Sequence, residues 1–261
     1  MKIVVAIKQV PARDSLLSID ASGKGIEEAD LSYEINEPDA YALEAGLRLK
    51  ELHGGEVVAL CAGPERVAQT IREALAKGAD RAIHIEDDDL GARDSLATAR
   101  LLAAALRGEA PDLVLTGLQS DDMACGQTGP ILAELLGLPH ATIVKQVEKV
   151  DGGIRVKREL EDGWFQHVEM PLPALLTIQS GIDKLRYATL MGIKKAKTKE
   201  VRRVMAADLG VAGPEGAPAA SVTVERLYLP QRNKRAQVFE GDPQEAAAQL
   251  VEKLRFEARV I

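Results

Sequence analysis

The segment with the clearest capacity for chemistry is a glycine-containing loop between an apolar run and a helical pattern. It extends from Gly117 to Thr128 and reads GLQSDDMACGQT. Its glycines allow a backbone to approach a ligand closely. Gln127 and Thr128 add hydrogen-bonding groups at the start of the helix, where free N–H groups and the helix dipole favour a phosphate. The loop is a candidate nucleotide or phosphate site, and an ordinary helix-capping loop is the alternative.

Two further segments follow apolar runs, Ala6 to Val10 and Cys61 to Pro64. Ligands of open parallel sheets bind at the carboxyl ends of the strands. We therefore expect these segments to meet the loop at one edge of a sheet.

Familiar catalytic motifs are missing from the sequence. It contains no G-x-x-x-x-G-K-[ST] phosphate loop, no G-x-G-x-x-G after the first apolar run and no Ser-Gly-Gly loop of the pyrophosphatase type. The four histidines are scattered without metal-ligand spacing, and no nucleophile can be paired with a base. The sequence predicts no catalytic residue and no metal site.

A basic segment from Lys184 to Arg203 contrasts with the net charge of −7 of the whole chain. Glu200 is its only acidic residue, and apolar side chains such as Leu190 are interleaved with the lysines. A solvated helix is the ordinary interpretation of such a charge run. The functional interpretation is a docking element, with an apolar tip that anchors a partner and basic flanks that steer it.

The elements that must position these segments alternate between strands and helices. Continuous apolar runs at 3–7, 57–61, 82–85, 113–116 and 174–178 are separated by amphipathic helical patterns. This alternation predicts an α/β fold with an open, mainly parallel sheet and helices on both faces. Alternating residues and Asp-Gly turns at about 144–171 predict an inserted antiparallel ribbon.

The C-terminal part of the chain differs in composition. We predict a main domain over 1–205 and a C-terminal arm over 206–261, with a Gly/Pro/Ala-rich linker at Gly210 to Ala220. Ser221 to Leu229 are expected to form a strand, and Asp242 and Pro243 to start a helix. The arm is too small to fold alone, so it is expected to pack on the main domain or on a partner.

The composition of the 261 residues excludes several classes of protein. The acidic balance and the aromatic content of 3% argue against nucleic-acid binding. The apolar run at the N-terminus is too short for a membrane span, so no membrane insertion is predicted. Two cysteines do not make a disulfide framework, and we expect a cytoplasmic protein with reduced thiols.

Five segments in order resemble the beta subunit of electron transfer flavoproteins. They are VVAIKQV at 4–10, NEPDAYALEA at 36–45, ALAKGADRAIHI at 74–85, the G-x-Q-x(7)-Q-T-G loop at 117–129, and RYATLMGIKKAK at 186–197. The resemblance implies a nucleotide-binding domain similar to adenine-nucleotide alpha hydrolases. It also implies a heterodimer with an alpha subunit that carries most of the redox FAD. The C-terminal arm of this chain would reach round that alpha subunit.

The resemblance also places two sites on this chain. The site for AMP or a second FAD would comprise Ala6, Asn36, Glu37, Pro38, Asp39, Ala62, Gly117, Gln119, Ser120, Asp121, Asp122, Met123, Ala124, Cys125, Gly126, Gln127 and Thr128. The partner-recognition loop would comprise Arg186, Tyr187, Ala188, Thr189, Leu190, Met191, Gly192, Ile193, Lys194 and Lys195. The implied role is a non-catalytic electron carrier from flavin dehydrogenases to a quinone oxidoreductase or related acceptor.

Some residues depart from the family pattern. Glu37 stands between Asn36 and Pro38, where the family often has Asn-Pro directly. AMP-binding members carry Cys at the position of Ala62 and Asn at that of Gly126. The missing side chain at Gly126 leaves room beside the phosphates for the longer FAD, yet the loop is intermediate between AMP-binding and electron-bifurcating members. Both ligands therefore stay open.

Two other functions fit a nucleotide-binding α/β chain. A stand-alone adenine-nucleotide regulator of stress-protein-like fold would self-associate and need no alpha subunit. An adenylating or ATP-cleaving enzyme would need a phosphate loop that the sequence lacks. The basic loop and the C-terminal arm argue against the stand-alone regulator.

Overall fold

Strands and helices alternate along most of the chain. The computed structural model describes residues 1–88, 90–211, 222–230 and 236–261. Its strands are β1 (Lys2–Ala6), β2 (Gln9–Pro11), β3 (Tyr33–Ile35), β4 (Glu56–Gly63), β5 (Arg81–Glu86), β6 (Leu113–Gly117), β7 (His140–Val150), β8 (Gly153–Glu159), β9 (Phe165–Pro171), β10 (Ala174–Ile178) and β11 (Val201–Met205). Its α-helices are α1 (Glu37–His53), α2 (Ala68–Lys77), α3 (Ser95–Arg107), α4 (Thr128–Leu136), α5 (Leu190–Ala196) and α6 (Pro243–Lys253).

One large sheet organises the fold. Among the described residues, nine strands form this sheet in the order β11-β5-β4-β1-β6-β10-β7-β8-β9. The pairings from β11 to the start of β7 are parallel, and those of β8 with β7 and β9 are antiparallel. The central strands are buried along almost their whole length, which explains their uninterrupted apolar sequences. The predicted α/β class with a mainly parallel sheet is confirmed.

Helices cover both faces of this sheet. Ile3 and Val5 of β1 belong to a core cluster that contains residues of α1 and α2. Val4 belongs to a second cluster that contains residues of α3 and α4. Successive side chains of a strand point to opposite faces, so one short strand contributes to both layers of the core.

The antiparallel part of the sheet is a three-stranded ribbon. His140 to Val144 of β7 run parallel to β10, and the rest of β7 pairs with β8 in the opposite sense. Strands β8 and β9 pair along their full length, from Gly153 opposite Pro171 to Glu159 opposite Phe165. The ribbon thus extends the parallel sheet directly on its β10 side.

Two elements differ from the sequence-based expectation. The basic segment is divided between the short helix α5 and the edge strand β11, which pairs in parallel with β5. Strand β11 was missed because most of its side chains are exposed, so its sequence has no apolar run. The strand predicted at Ser221 to Leu229 is wrong over the described residues 222–229, which join no sheet; Ser221 itself lies outside the described residues.

By its internal contacts the chain divides into two compact units, Met1–Glu225 and Arg226–Ile261. The second unit contains α6. Asp242 caps the start of this helix, because its side chain accepts the N–H of Gln244 at 2.8 Å. Most of the linker predicted at 210–220 lies outside the described residues. Within the described part of the chain, no helix has the length and apolar character needed to cross a membrane.

Candidate functional site

The predicted nucleotide-binding residues gather at the carboxyl edge of the parallel sheet. Ala6 ends β1 opposite Leu60 of β4, and Val5 lies opposite Leu115 of β6. This register places the ends of β1, β4 and β6 side by side. Ala6 and Ala62 contribute small, buried side chains at this edge.

Asp39 ties the first turn of α1 to two strand ends. Its Oδ2 accepts the backbone N–H of Lys8 at 2.8 Å, and its Oδ1 accepts that of Gly117 at 2.7 Å. A Cβ atom at Gly117 would lie 2.4 Å from Asp39 Oδ1 and 2.7 Å from the Asp39 nitrogen. Only glycine therefore allows the end of β6 to approach the helix this closely.

The environment of Asp39 also perturbs its ionisation. Burial raises the pKa of this carboxyl to about 7, against the opposing effects of its hydrogen bonds and of the Lys8 charge. Because both oxygens already accept backbone N–H groups, the carboxyl holds the strand ends together. We assign it a structural role.

Asn36 connects the start of α1 to the loop after β6. Its side chain is buried, with Nδ2 donating to the Gln119 carbonyl at 2.9 Å and Oδ1 accepting the Asp121 N–H at 2.8 Å. The side chain therefore fixes the loop instead of capping its own helix. An amide is needed here because one donor and one acceptor are used at once.

Two basic residues outside the loop, Lys8 and Arg13, form ion pairs with its acidic residues. Lys8 Nζ lies 2.6 Å from Asp122 and 3.5 Å from Ser120 Oγ. Burial opposes the ionised form of Asp122, but Lys8 and two hydrogen bonds outweigh it and lower the pKa of this carboxyl. Arg13 similarly pairs with Glu37 and Asp121.

Lys8 and Arg13 were not among the predicted site residues. The signal for Lys8 in the sequence was its position two residues after Ala6, the last residue of the first buried strand. Arg13 had no such signal, because its contact with Glu37 depends on how β2 and β3 pair.

The middle of the loop is turned outward. The side chains of Met123 and Cys125 are exposed, although the Met123 N–H donates to Asp122 Oδ1 at 2.7 Å within the loop. Ala124 and Gly126 have φ values of 51° and 63°. At Gly126 a Cβ atom would lie 3.7 Å from the Leu118 oxygen, which is an ordinary contact. The position thus has room for a side chain, but its left-handed backbone favours Gly or Asn.

The loop ends at the N-terminus of α4. Gln127 precedes the helix and Thr128 begins it, and the Gln127 side chain makes no capping hydrogen bond. Gly129 brings the helix against the sheet, since a Cβ atom there would lie 2.4 Å from Thr177 Cγ2. The N-terminus of α4 thus follows the carboxyl end of β6, and Gln127 provides no side-chain cap that would compete with an anion.

We use the name nucleotide cradle for Asn36, Asp39 and the loop Gly117–Thr128 together with the neighbouring Ala6, Lys8 and Ala62. Its backbone N–H groups, small residues and one lysine can bind a phosphate and a flat ring.

The predicted recognition residues form a separate surface, which we call the docking loop (Arg186–Lys195). Arg186 anchors its start, with Nε 2.8 Å from Glu44 Oε2 and Nη1 2.6 Å from Glu51 Oε1. Thr189 caps α5 by accepting the Gly192 N–H at 3.0 Å. A Cβ atom at Gly192 would lie 2.3 Å from the Ala76 oxygen, so α5 packs directly on α2.

The tip of the docking loop is apolar and unusually exposed. Tyr187 is 91% exposed and Leu190 is 87% exposed, with Met191 and Ile193 beside them. Lys194 and Lys195 follow within the same short helix. An exposed apolar tip beside lysines on a rigid support is typical of a protein-binding surface.

Comparison with known proteins identifies the family. The model of the electron transfer flavoprotein domain matches residues 24–209. The chain is 40% identical to the electron transfer flavoprotein subunit beta of Methylophilus methylotrophus over 257 residues, covering 97% of both chains. It is 34% identical to that of Bacillus subtilis and 36% identical to the mitochondrial subunit of Oryza sativa subsp. japonica, each over 100% of both chains. The chain therefore belongs to the electron transfer flavoprotein beta-subunit family.

Proposed function

We propose that this chain is the beta subunit of a heterodimeric electron transfer flavoprotein and that its cradle binds an adenine nucleotide. The observation that carries the proposal is the network of Asn36 and Asp39, which holds the loop Gly117–Thr128 beside the strand ends. The full-length similarity to subunits of that name supports the assignment.

The residues of the cradle fit an adenosine phosphate. The N-terminus of α4 offers N–H groups without a cap from Gln127, which suits a phosphate. The small residues Ala6 and Ala62 leave space at the strand ends for a ring. Lys8 adds a positive charge close to the loop, although Asp122 neutralises it while the two are paired.

The electron-carrier role assigns different tasks to cofactor and chain. When bound, the FAD shared with the alpha subunit supplies the one-electron chemistry. A nucleotide bound in the cradle would stabilise the fold and the subunit interface, because a ligand that binds only the folded state adds to the stability of that state. The exposed apolar residues of α6 and the following turn, such as Leu250 and Phe256, suit a C-terminal arm that covers an alpha subunit.

The docking loop is the proposed contact for redox partners. Leu190 would insert into an apolar pocket of a flavin dehydrogenase, while Lys194 and Lys195 meet acidic groups around that pocket. Electrons would then pass to a quinone oxidoreductase or a related acceptor. The anchoring of Arg186 on α1 keeps this surface in place before a partner arrives.

The identity of the nucleotide distinguishes two forms of the proposal. A Cβ atom at Gly126 would meet only the Leu118 oxygen, at 3.7 Å, and this room would serve AMP or the longer second FAD of an electron-bifurcating carrier. The test is to co-express the chain with a candidate alpha subunit, purify the complex and identify released nucleotides by mass spectrometry. One FAD and one AMP per heterodimer indicate a simple carrier, and two FAD indicate a candidate bifurcating carrier. A stable heterodimer without any nucleotide beyond the shared FAD would overturn the proposed cradle.

A further inference from the structure

His84 carries a buried nitrogen without a partner. The residue lies in β5 with no exposed surface, and its Nε2 is 2.9 Å from the carbonyl oxygen of Gly63. A carbonyl can only accept, so Nε2 holds the proton and Nδ1 of the neutral ring keeps a free lone pair. In the described part of the chain this Nδ1 has no hydrogen-bond partner. Buried polar atoms are rarely left in that state, so this one calls for an explanation.

The carboxylates of Glu65 and Glu86 lie close to His84. Glu86 lies two residues further along β5 and on the same face, and Glu65 comes from the turn after β4. A ring nitrogen of His84 and one oxygen from each glutamate lie within 4.8 Å of one another. Two carboxylates this close repel each other unless a cation lies between them.

Arg203 is the cation in this position. It lies opposite His84 in the pairing of β11 with β5, and its Nη1 and Nη2 approach Glu65 at 2.6 and 2.8 Å. Nη1 also lies 3.9 Å from Glu86. The guanidinium balances the carboxylates but leaves Nδ1 unbonded. Its side chain is half exposed, so it can turn into solvent.

We propose that Glu65, His84 and Glu86 bind a divalent transition metal ion and that Arg203 holds the site when no metal is bound. One imidazole nitrogen with two carboxylates suits Zn²⁺ best among common ions, with water completing the coordination. The Gly63 carbonyl then fixes the tautomer and the orientation of the ligating ring. The site lies at the ends of β4 and β5, and none of its ligands belongs to the nucleotide cradle. Sequence spacing did not reveal it, because Glu65 follows a different strand.

The experiment is equilibrium dialysis of the full chain against Zn²⁺ after treatment with a chelator, with bound metal measured by mass spectrometry. We expect one saturable Zn²⁺ per chain. Glu65→Gln should weaken binding at least tenfold, because it removes one of three ligands. Arg203→Gln should tighten binding severalfold, because it removes the competing cation. Both positions are half or more exposed, so these variants are expected to fold.

Matched controls separate this site from ordinary surface carboxylates. Glu73→Gln removes an exposed glutamate on α2, and His53→Gln removes an exposed histidine; both should leave Zn²⁺ binding unchanged. The proposal is overturned by the absence of saturable binding, by binding that survives Glu65→Gln, or by binding that does not tighten in Arg203→Gln. Binding through the exposed thiol of Cys125 would give the second of these results.

Discussion

Arg186 and Glu44 join the docking loop to the helix that starts in the nucleotide cradle. The Glu44 side chain is 3% exposed, and its Oε2 accepts both the side-chain Nε of Arg186 at 2.8 Å and the backbone N–H of Arg186 at 3.3 Å. Asn36 precedes the same helix, and Asp39 lies in its first turn. The two candidate surfaces are therefore attached to one rigid element.

Glu44→Gln should loosen the docking loop. A neutral amide retains the size of the side chain but loses charged hydrogen bonds to Arg186 and Arg48, and we expect a loss of about 2 kcal/mol in the free energy of unfolding at pH 7. Urea unfolding measures this change. Glu51→Gln is the matched control, because Glu51 also pairs with Arg186 but is 57% exposed and should cost much less.

The effect of Glu44→Gln should depend on pH. Burial opposes ionisation of Glu44, but the bonds to Arg186 and Arg48 outweigh it and lower its pKa below the ordinary 4.5. A lowered pKa contributes stability that is present above the unfolded value and is lost as pH falls through the folded value. The difference between Glu44→Gln and the unaltered chain should therefore shrink below about pH 4.5. An equal difference at pH 7 and pH 3.5 would contradict the role assigned to the pair.

Asp39→Asn should change stability with the opposite dependence on pH. Burial raises the pKa of Asp39 from 3.8 to about 7, so the folded chain binds this proton more tightly than the unfolded chain. The contribution of the carboxyl is fully present below pH 4 and is lost as pH rises through 7. The destabilisation caused by Asp39→Asn should be largest near pH 4 and should decrease toward pH 8.

Urea unfolding at several pH values between 4 and 8 tests this expectation. Asp122→Asn provides the contrast: the Lys8 interaction lowers the pKa of Asp122 below the ordinary 3.8, so its contribution is already fully present above that pH and should stay constant over this range. Parallel profiles for the two variants would show that burial does not control the ionisation of Asp39.

Gly117→Ala should damage the cradle. The added methyl group would lie 2.4 Å from Asp39 Oδ1 and 2.7 Å from Pro38 Cβ, so the strand end and the helix must separate. Overpacking of this kind costs about 1–3 kcal/mol, and we expect a lower thermal midpoint with loss of bound nucleotide. Gly108→Ala is the control, since no heavy atom lies within 4 Å of the position of its methyl group. Equal nucleotide content in both variants would mean that the cradle is placed wrongly.

Leu190→Ala should weaken partner recognition alone. Leu190 is 87% exposed at the tip of the docking loop, and its truncation should lower the rate of dehydrogenase-coupled reduction about tenfold, as expected for an anchor worth about 1–2 kcal/mol. Bound FAD and adenine nucleotide should be unchanged. Leu52→Ala is the control, because Leu52 is 76% exposed on α1 outside the docking loop. Loss of nucleotide in Leu190→Ala would indicate a structural role for the tip.

Local patterns in the sequence determined the class of the fold. The helix expected to start at Thr128 is helix α4, in which apolar residues recur and which ends at Leu136, before Gly137. Strands buried on both faces, such as β4 and β6, have continuous apolar sequences that identify them without a structure. Both signals depend only on residues that are near one another in the chain.

Elements that depend on distant partners were harder to predict. Strand β11 is exposed on most of its length and is held by its pairing with β5, so its own sequence carries little apolar signal. At Val222 to Leu229 a strand-like sequence joins no sheet within the described residues. A strand needs a partner as well as a suitable composition, and the partner is a property of the tertiary structure.

The same distinction holds at the candidate sites. The types of residue in the loop Gly117–Thr128 favoured phosphate binding, and resemblance pointed to Asn36 and Asp39. Only the folded chain shows that the Asn36 amide bonds the loop and that Lys8 closes it. The grouping of Glu65 with His84 likewise arises where the ends of two strands meet. Sequence determines which chemical groups are available, whereas the pairing of distant strands decides which of them come within bonding distance.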